Sequence, residues 1–320
     1  VMARHVVVGA GAIGRATASA LVRGGHEVVL ASRSGTGPDL AGARRTRVDA
    51  TDPAALIEVA TGAASLINAV NPNYTSWSRD WPPMARAFLA AAQASGAGLV
   101  TIGNLYGYGP SDGPVHVGLP LAATGSKGRV RAQMWLDAKA AHDAGRIRAT
   151  ELRASDYFGP GASPDMSLLM RFVLAPAAAG KVLHVLDGSP EALHSWTYVP
   201  DIGDLAARLA TSDIGWGRPW HVPSGMPRSV AQVAADVAAY AGRPAPSIKV
   251  MPRWVRTALG AAIPVVRAIA ETAYQRERAF VIDASETEST FGLTATPWEQ
   301  SLDATLSSMG VKRADVSARR

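Results

Sequence analysis

The chain of 320 residues contains no cysteine, which excludes a disulfide framework, thiolate zinc or iron–sulfur ligation, and a cysteine nucleophile. Charge is sparse as well: charged residues make up 18%, and lysine occurs only at Lys127, Lys139, Lys181, Lys249 and Lys312. The formal net charge of +6 therefore rests on arginines, which are scattered apart from Arg44-Arg45 with Arg47 and the terminal pairs Lys312-Arg313 and Arg319-Arg320. Dispersed charge of this kind reads as a solvated surface, so no nucleic-acid partner is expected. Long apolar runs are missing too. The stretch from Thr257 to Ala270 is broken by Pro264 and Arg267, so no membrane span is expected. No charged-then-apolar leader with a cleavage site opens the chain, and a cytoplasmic location is the expectation. The histidines (His5, His26, His116, His142, His184, His194, His221) include no pair at helical metal-ligand spacing, so no metal site is expected.

What is present is alternation. Short β-branched runs at Arg4-Val8, Glu27-Ala31, Arg45-Asp49, Ser65-Val70, Gly98-Ile102 and Arg148-Arg153 are separated by helical stretches Ile13-Gly24, Pro53-Thr61, Pro82-Ala94 and Gly128-Ala144. Strands alternating with helices predict an α/β fold, a doubly wound parallel sheet of the Rossmann kind. Beyond Tyr157 the regularity fades, and Pro160-Pro164, Pro219-Pro227 and Arg243-Pro252 read as irregular. Strand-like Lys181-Leu186 and Ser195-Val199, with helix-like Asp201-Ala210 and Ser229-Ala241, predict a second, smaller C-terminal domain. The division expected is a nucleotide-binding domain over 1–160, with returns near 195–215, and a mainly substrate-binding domain over 161–320.

Gly9-Ala10-Gly11-Ala12-Ile13-Gly14 follows the first strand and opens the first helix. In that setting the first glycine permits the tight turn, the second lets a pyrophosphate approach the backbone, and the third allows close helix–strand packing. An NAD site usually places an acid at the end of the second strand, whereas this chain reads Ser32-Arg33-Ser34. A guanidinium flanked by two hydroxyls suits a 2′-phosphate, so NADP(H) is the expected cofactor. Asp49-Ala50 falls where an adenine edge would lie, and Asp52 before Pro53 reads as a helix N-cap.

These features, with Asn68-Ala69-Val70, Leu105-Tyr106-Gly107, Leu152-Arg153 through Tyr157-Phe158-Gly159-Pro160-Gly161, Tyr198-Val199-Pro200-Asp201 and Phe291-Gly292-Leu293 with Pro297-Trp298, resemble the extended short-chain dehydrogenase/reductases, in their epimerase/dehydratase-like branch. The resemblance spans nearly the whole chain. It implies cofactor contacts from Gly9, Gly11, Ala12, Ile13, Gly14, Ser32, Arg33, Ser34, Asp49, Ala50, Val70, Asn71 and Lys127. It also implies a catalytic tyrosine four residues before Lys127, and there the chain departs from the pattern, because that place is Ala123. The family's Ser/Thr place falls on Ile102, with Thr101 one residue away. Other groups that can line the site or move a proton are Tyr108 and Tyr157, and Trp196 can face an aromatic substrate.

Hydride addition to a ketone leaves an alkoxide that must be stabilised or protonated. With no tyrosine at position 123, the proton can come from water or from the substrate. A phenol hydrogen-bonded to the ketone being reduced carries its own proton. The chain is accordingly similar to atypical ketoreductases of angucyclinone pathways. The expectation is NADPH-dependent reduction of a ketone on an aromatic polyketide, with a non-catalytic NADP-binding sensor or scaffold and a nucleotide-sugar epimerase or dehydratase as alternatives.

Overall fold

A computed structural model describes residues 2–37 and 39–314; the terminal Arg319-Arg320 pair lies outside them. The first half runs β1 (Arg4–Val8), α1 (Ala12–Arg23), β2 (Glu27–Ser32), β3 (Ala43–Arg47), α2 (Pro53–Ala60), β4 (Ser65–Asn68), α3 (Trp77–Ser95), β5 (Gly98–Asn104), α4 (Ser126–Asp143) and β6 (Ala149–Ala154). The second runs β7 (Tyr157–Phe158), α5 (Ala175–Ala178), β8 (Leu183–Val185), β9 (Thr197–Tyr198), α6 (Val199–Thr211), β10 (Pro219–His221), α7 (Val230–Tyr240), β11 (Ile248–Val250), α8 (Arg253–Ala262), α9 (Pro264–Ala270), α10 (Tyr274–Glu277), α11 (Ser285–Phe291) and α12 (Trp298–Ser308).

Seven strands form one parallel sheet in the order β10-β6-β5-β4-β1-β2-β3. The strand order reverses between β1 and β4, which opens a crevice at their carboxyl ends. Strand sequences such as Val28-Val29-Leu30-Ala31 are apolar at successive positions because both faces are covered. Val6, Val8, Val29 and Leu66 pack against Leu56 of α2 and Phe88 of α3. Val7, Leu30, Ile67 and Val100 pack on the other face against α1 and α6. There Gly203 lets α6 lie close on α1, since a Cβ at 203 would stand 2.6 Å from the Ala16 carbonyl carbon.

A third cluster, including Phe158, Leu169, Leu174, Val233 and Leu306, builds the C-terminal layer beside the small β8–β11 and β7–β9 pairs. Three sequence expectations shift. Helix α3 begins at Trp77 rather than Pro82 and contains both Pro82 and Pro83. Burial of Trp77 and Trp81, with the Arg131 guanidinium 4.8 and 4.3 Å over their rings, outweighs the proline signal. Strand β3 ends at Arg47, two residues early, because the Asp49 carboxylate accepts from Thr51 N and Oγ1 and turns the chain. Pro219–His221, expected to be irregular, is the seventh strand; its proline is the first residue of an edge strand, where no ladder donor is lost.

Candidate cofactor and substrate site

The three glycines of the first loop divide their work as the geometry requires. Gly9 has φ +114°, and a Cβ there would lie 2.4 Å from Ala69 O. At Gly14 a Cβ would meet Gly9 O at 1.7 Å. Gly11 differs, with nothing within 4 Å of the Cβ position, so its freedom serves an approaching group rather than internal packing. Ala12 and Ile13 form the first turn of α1, whose free N–H groups and dipole favour an anion. Arg15 on the same turn is half-buried, and its guanidinium has no hydrogen-bond or ion-pair partner among the described residues.

Ser32, Arg33 and Ser34 leave β2 at the carboxyl edge. Ser32 Oγ accepts from Gly35 N and Ser34 Oγ from Thr36 N, so the hydroxyls shape the loop around an exposed Arg33. Asp49 is exposed, and the hydrogen bonds from Thr51 together with Arg33 and Arg47 hold its carboxyl below the usual range. Ala50 is buried beneath it. Asp52 caps α2, accepting from Ala54 N and Ala55 N.

Val70 and Asn71 follow β4 directly beside the first glycine, with Val70 N donating to the buried Asn68 side chain. Lys127, in the first turn of α4, is 5% exposed; its Nζ lies 3.2 Å from Glu271 Oε2 and 4.7 Å from the centre of the Tyr74 ring. Glu271 also accepts from Lys127 N at 2.6 Å and from Ser126 Oγ at 2.9 Å. Burial works against its charge, but these hydrogen bonds and the ammonium outweigh it, and the carboxyl titrates below its ordinary value. Ala123 packs tightly: a Cβ at Gly128 would lie 2.4 Å from its methyl. Glu271 and Tyr74, whose hydroxyl donates to Tyr106 at 3.3 Å, had no sequence signal, since each depends on chain segments far apart.

The three proton-moving candidates occupy different settings. Tyr108 is buried, not turned to a pocket: its hydroxyl accepts from Arg153 Nη1 at 2.6 Å and donates to His221 Nε2 at 2.8 Å, while His221 Nδ1 donates to Asp283 O. Burial pushes the His221 pKa down to about 4, so the ring is a neutral structural link. Thr101 sits three residues below the end of β5, because pairing continues through Gly103 and Asn104. The neighbouring Ile102 is core. Tyr157 packs against the cluster that includes Phe158 and Leu169 and donates to Met166 O at 2.8 Å; burial pushes its pKa up to about 12.

A cleft of about 620 Å³, counting its open mouth, lies beyond β6 and is walled by Leu169, Phe172, Val173, Leu186, Trp196 and Ile269. Trp196 is thus brought to the cleft, while its Nε1 is satisfied by Arg228 O at 2.8 Å. The polar lining is Asp156, Asp187, Ser189, His194 and Arg276, none of which carries a motif in the sequence. Arg276 grips Asp187 with Nε and Nη2 at 2.5 and 3.0 Å, and Arg256 adds a third contact at 3.4 Å. His194 Nδ1 donates to Gln275 O, and its Nε2 lies 3.1 Å from Ser155 Oγ and 3.5 Å from Asp156 Oδ2. Burial lowers the His194 pKa although Asp156 opposes it.

The strand order and the open face at Gly11 define a dinucleotide-binding α/β protein. The chain belongs to the NAD dependent epimerase/dehydratase family, whose family model matches residues 5–218. No curated protein sequence matches it. Among solved structures it is similar to MoeE5 in complex with UDP-glucose and NAD, at 21% identity and TM-score 0.76 over 96% of this chain and 98% of that one. It is also similar to UDP-glucose 4-epimerase from Thermotoga maritima with UDP-glucose (16%, 0.78, 96% and 98%). The dTDP-glucose 4,6-dehydratase DesIV from Streptomyces venezuelae, a double mutant with NAD bound, matches at 17% and 0.74, covering 97% of each chain. At these identities the likeness shows a shared fold.

Proposed function

We propose that the protein is an NADPH-dependent reductase of a ketone on an aromatic, hydroxylated polyketide, in which the proton comes from a substrate phenol or water. The carrying observation is the cleft. Its walls are apolar and aromatic, and the one arginine lining it among the described residues is committed to Asp187. A nucleotide sugar brings a diphosphate that needs a free cation, whereas a fused aromatic ketone needs area and few polar contacts. The fold relatives that hold UDP-sugars favour the epimerase reading; the paired Arg276 speaks against it.

The bound nicotinamide would supply the hydride. Residues Gly11 to Gly14 and the start of α1 would receive the pyrophosphate, Ser32 to Ser34 the 2′-phosphate, and Lys127 the ribose hydroxyls beside Val70 and Asn71. Ala123 offers only a methyl where the family's phenol would stand, so the protein does not donate the proton from that place. The alkoxide left by hydride addition would take the proton of the neighbouring phenol, the ring would hold the phenolate charge, and solvent would return the proton. Leu169, Phe172 and Trp196 exclude water and hold the rings flat.

Purified protein with NADPH is expected to reduce ketones bearing an ortho or peri phenol at least about a hundredfold faster than O-methylated counterparts, as a lost proton-transfer contribution predicts. Equal rates would remove substrate assistance. NADPH binding with no oxidation across such a panel would favour the sensor alternative instead. Lys127→Ala is expected to weaken NADPH binding about tenfold or more, as loss of a charge-assisted hydrogen bond predicts. Titration of cofactor fluorescence checks this. Full affinity with turnover lost would instead give Lys127 a role in proton transfer.

A further inference from the structure

The arginine cluster at 44–47 looks like surface charge in the sequence, but the sheet gives one member a specific place. Pairing of β2 with β3 sets Arg47 directly opposite Ser32, the last residue of β2 and the one before Arg33. That loop turns back at Gly35, with φ +67°, and a Cβ at 35 would lie 3.1 Å from Arg47 Cβ. Arg47 and Arg33 therefore flank one small area at the carboxyl edge, beside β1 and the Gly9 to Gly14 loop. The remaining members are otherwise placed. Arg45 pairs with Asp39, and Arg44 and Arg45 stand deeper in the strand, opposite Val29 and Leu30.

Arg33 and Arg47 are both exposed, and neither guanidinium has a hydrogen-bond or ion-pair partner among the described residues. Two residues beyond Arg47 stands Asp49, whose Oδ1 is held by Thr51 N and Oγ1. Its carboxyl is drawn down partly by both arginines, which places both charges within electrostatic reach of one point. Arg33 also lies within reach of the Asp80 carboxylate, but Asp80 is neutralised by its pair with Arg79, so Arg33 and Arg47 around Asp49 leave a net positive site. Such a site suits a phosphate monoester, which carries between one and two negative charges at neutral pH and accepts forked hydrogen bonds.

We infer that Arg47 and Arg33 form a two-armed clamp for the 2′-phosphate of the cofactor's adenosine, so that the choice of NADPH over NADH is made by β3 as well as by the loop after β2. This rests on the NADP(H) reading above. Arg33 comes from the loop and moves with it, whereas Arg47 is fixed in a strand and so sets the distance of the phosphate from the sheet. The serine hydroxyls shape the loop, and the arginines supply the charge.

The test is binding of NADPH, NADH, 2′,5′-ADP and 5′-AMP to wild type, Arg33→Ala, Arg47→Ala and Arg47→Lys. Because Arg47 is exposed and unpartnered, Arg47→Ala is expected to melt with wild type. Its NADPH and 2′,5′-ADP affinities are expected to fall at least about tenfold, with NADH and 5′-AMP moving less than about twofold, since a charge-assisted phosphate contact is lost. Arg47→Lys should recover part of the loss, because it keeps the charge without the fork. A wild type that prefers NADPH, with the full preference kept in Arg47→Ala and lost in Arg33→Ala, overturns the clamp and leaves the NADP(H) reading standing. A wild type that binds NADH as tightly as NADPH overturns both.

Discussion

Gly14→Ala is expected to lose dinucleotide binding and to cost about 3 kcal/mol or more of stability, at the upper end of what overpacking a tight contact costs. The added methyl would stand 1.7 Å from Gly9 O, a backbone atom that cannot rotate away, so the turn and α1 must part. Gly11→Ala should behave oppositely. Nothing lies within 4 Å of its Cβ position, so the protein should fold and melt as wild type does. Its NADPH affinity should nevertheless fall about tenfold to a hundredfold, because the methyl occupies the path by which a pyrophosphate reaches the backbone. Thermal melts and cofactor titration of the two variants check both halves. A Gly11→Ala protein that binds NADPH normally would remove the phosphate from this loop.

The second large effect is beneath the site. Glu151 and Arg153 are 2% and 3% exposed, with Glu151 Oε2 accepting from Arg153 Nε at 2.8 Å. Burial opposes the Arg153 charge, but Glu151 and Tyr108 outweigh it and raise its pKa; burial pulls Arg131 nearby down to about 10, with Glu151 again in opposition. One carboxylate thus steadies two buried guanidiniums. Glu151→Gln keeps the shape and removes the charge, and is expected to destabilise by about 3–5 kcal/mol, the range for breaking a buried pair from one side. Tyr108→Phe should cost less, about 1–3 kcal/mol, as it leaves Arg153 and His221 each one partner short without a charge imbalance. Urea denaturation separates them. If Tyr108→Phe instead folds normally and loses turnover, Tyr108 acts in the reaction and the structural role assigned to it is wrong.

How much of this was legible depended on whether the signal was local. The parallel sheet could be read from β-branched runs separated by helical stretches, and the first loop from glycine spacing after a strand, because both express backbone constraints acting within a few residues. Asp52 as a cap was readable for the same reason. The start of α3 was not, since Trp77 and Trp81 are stabilised by Arg131, which enters from α4. The Pro219–His221 strand was hidden by its proline, acceptable only because the strand lies at an edge.

The site divides along the same line. Gly9, Gly11, Gly14, Arg33 and Lys127 occupy positions set by neighbours in the chain, so the sequence alone put them on an α/β fold, with Ala123 four residues before Lys127. Which side chains meet across the fold was decided by the tertiary structure: Glu271 reaching Lys127, Arg276 tied to Asp187, Arg47 brought opposite Ser32, and Tyr108 drawn into a buried network. The physical reason is that hydrogen bonds and charge pairs act over a few ångströms in space, and residues as far apart as Lys127 and Glu271 come within that range only once the sheet and its covering helices have packed.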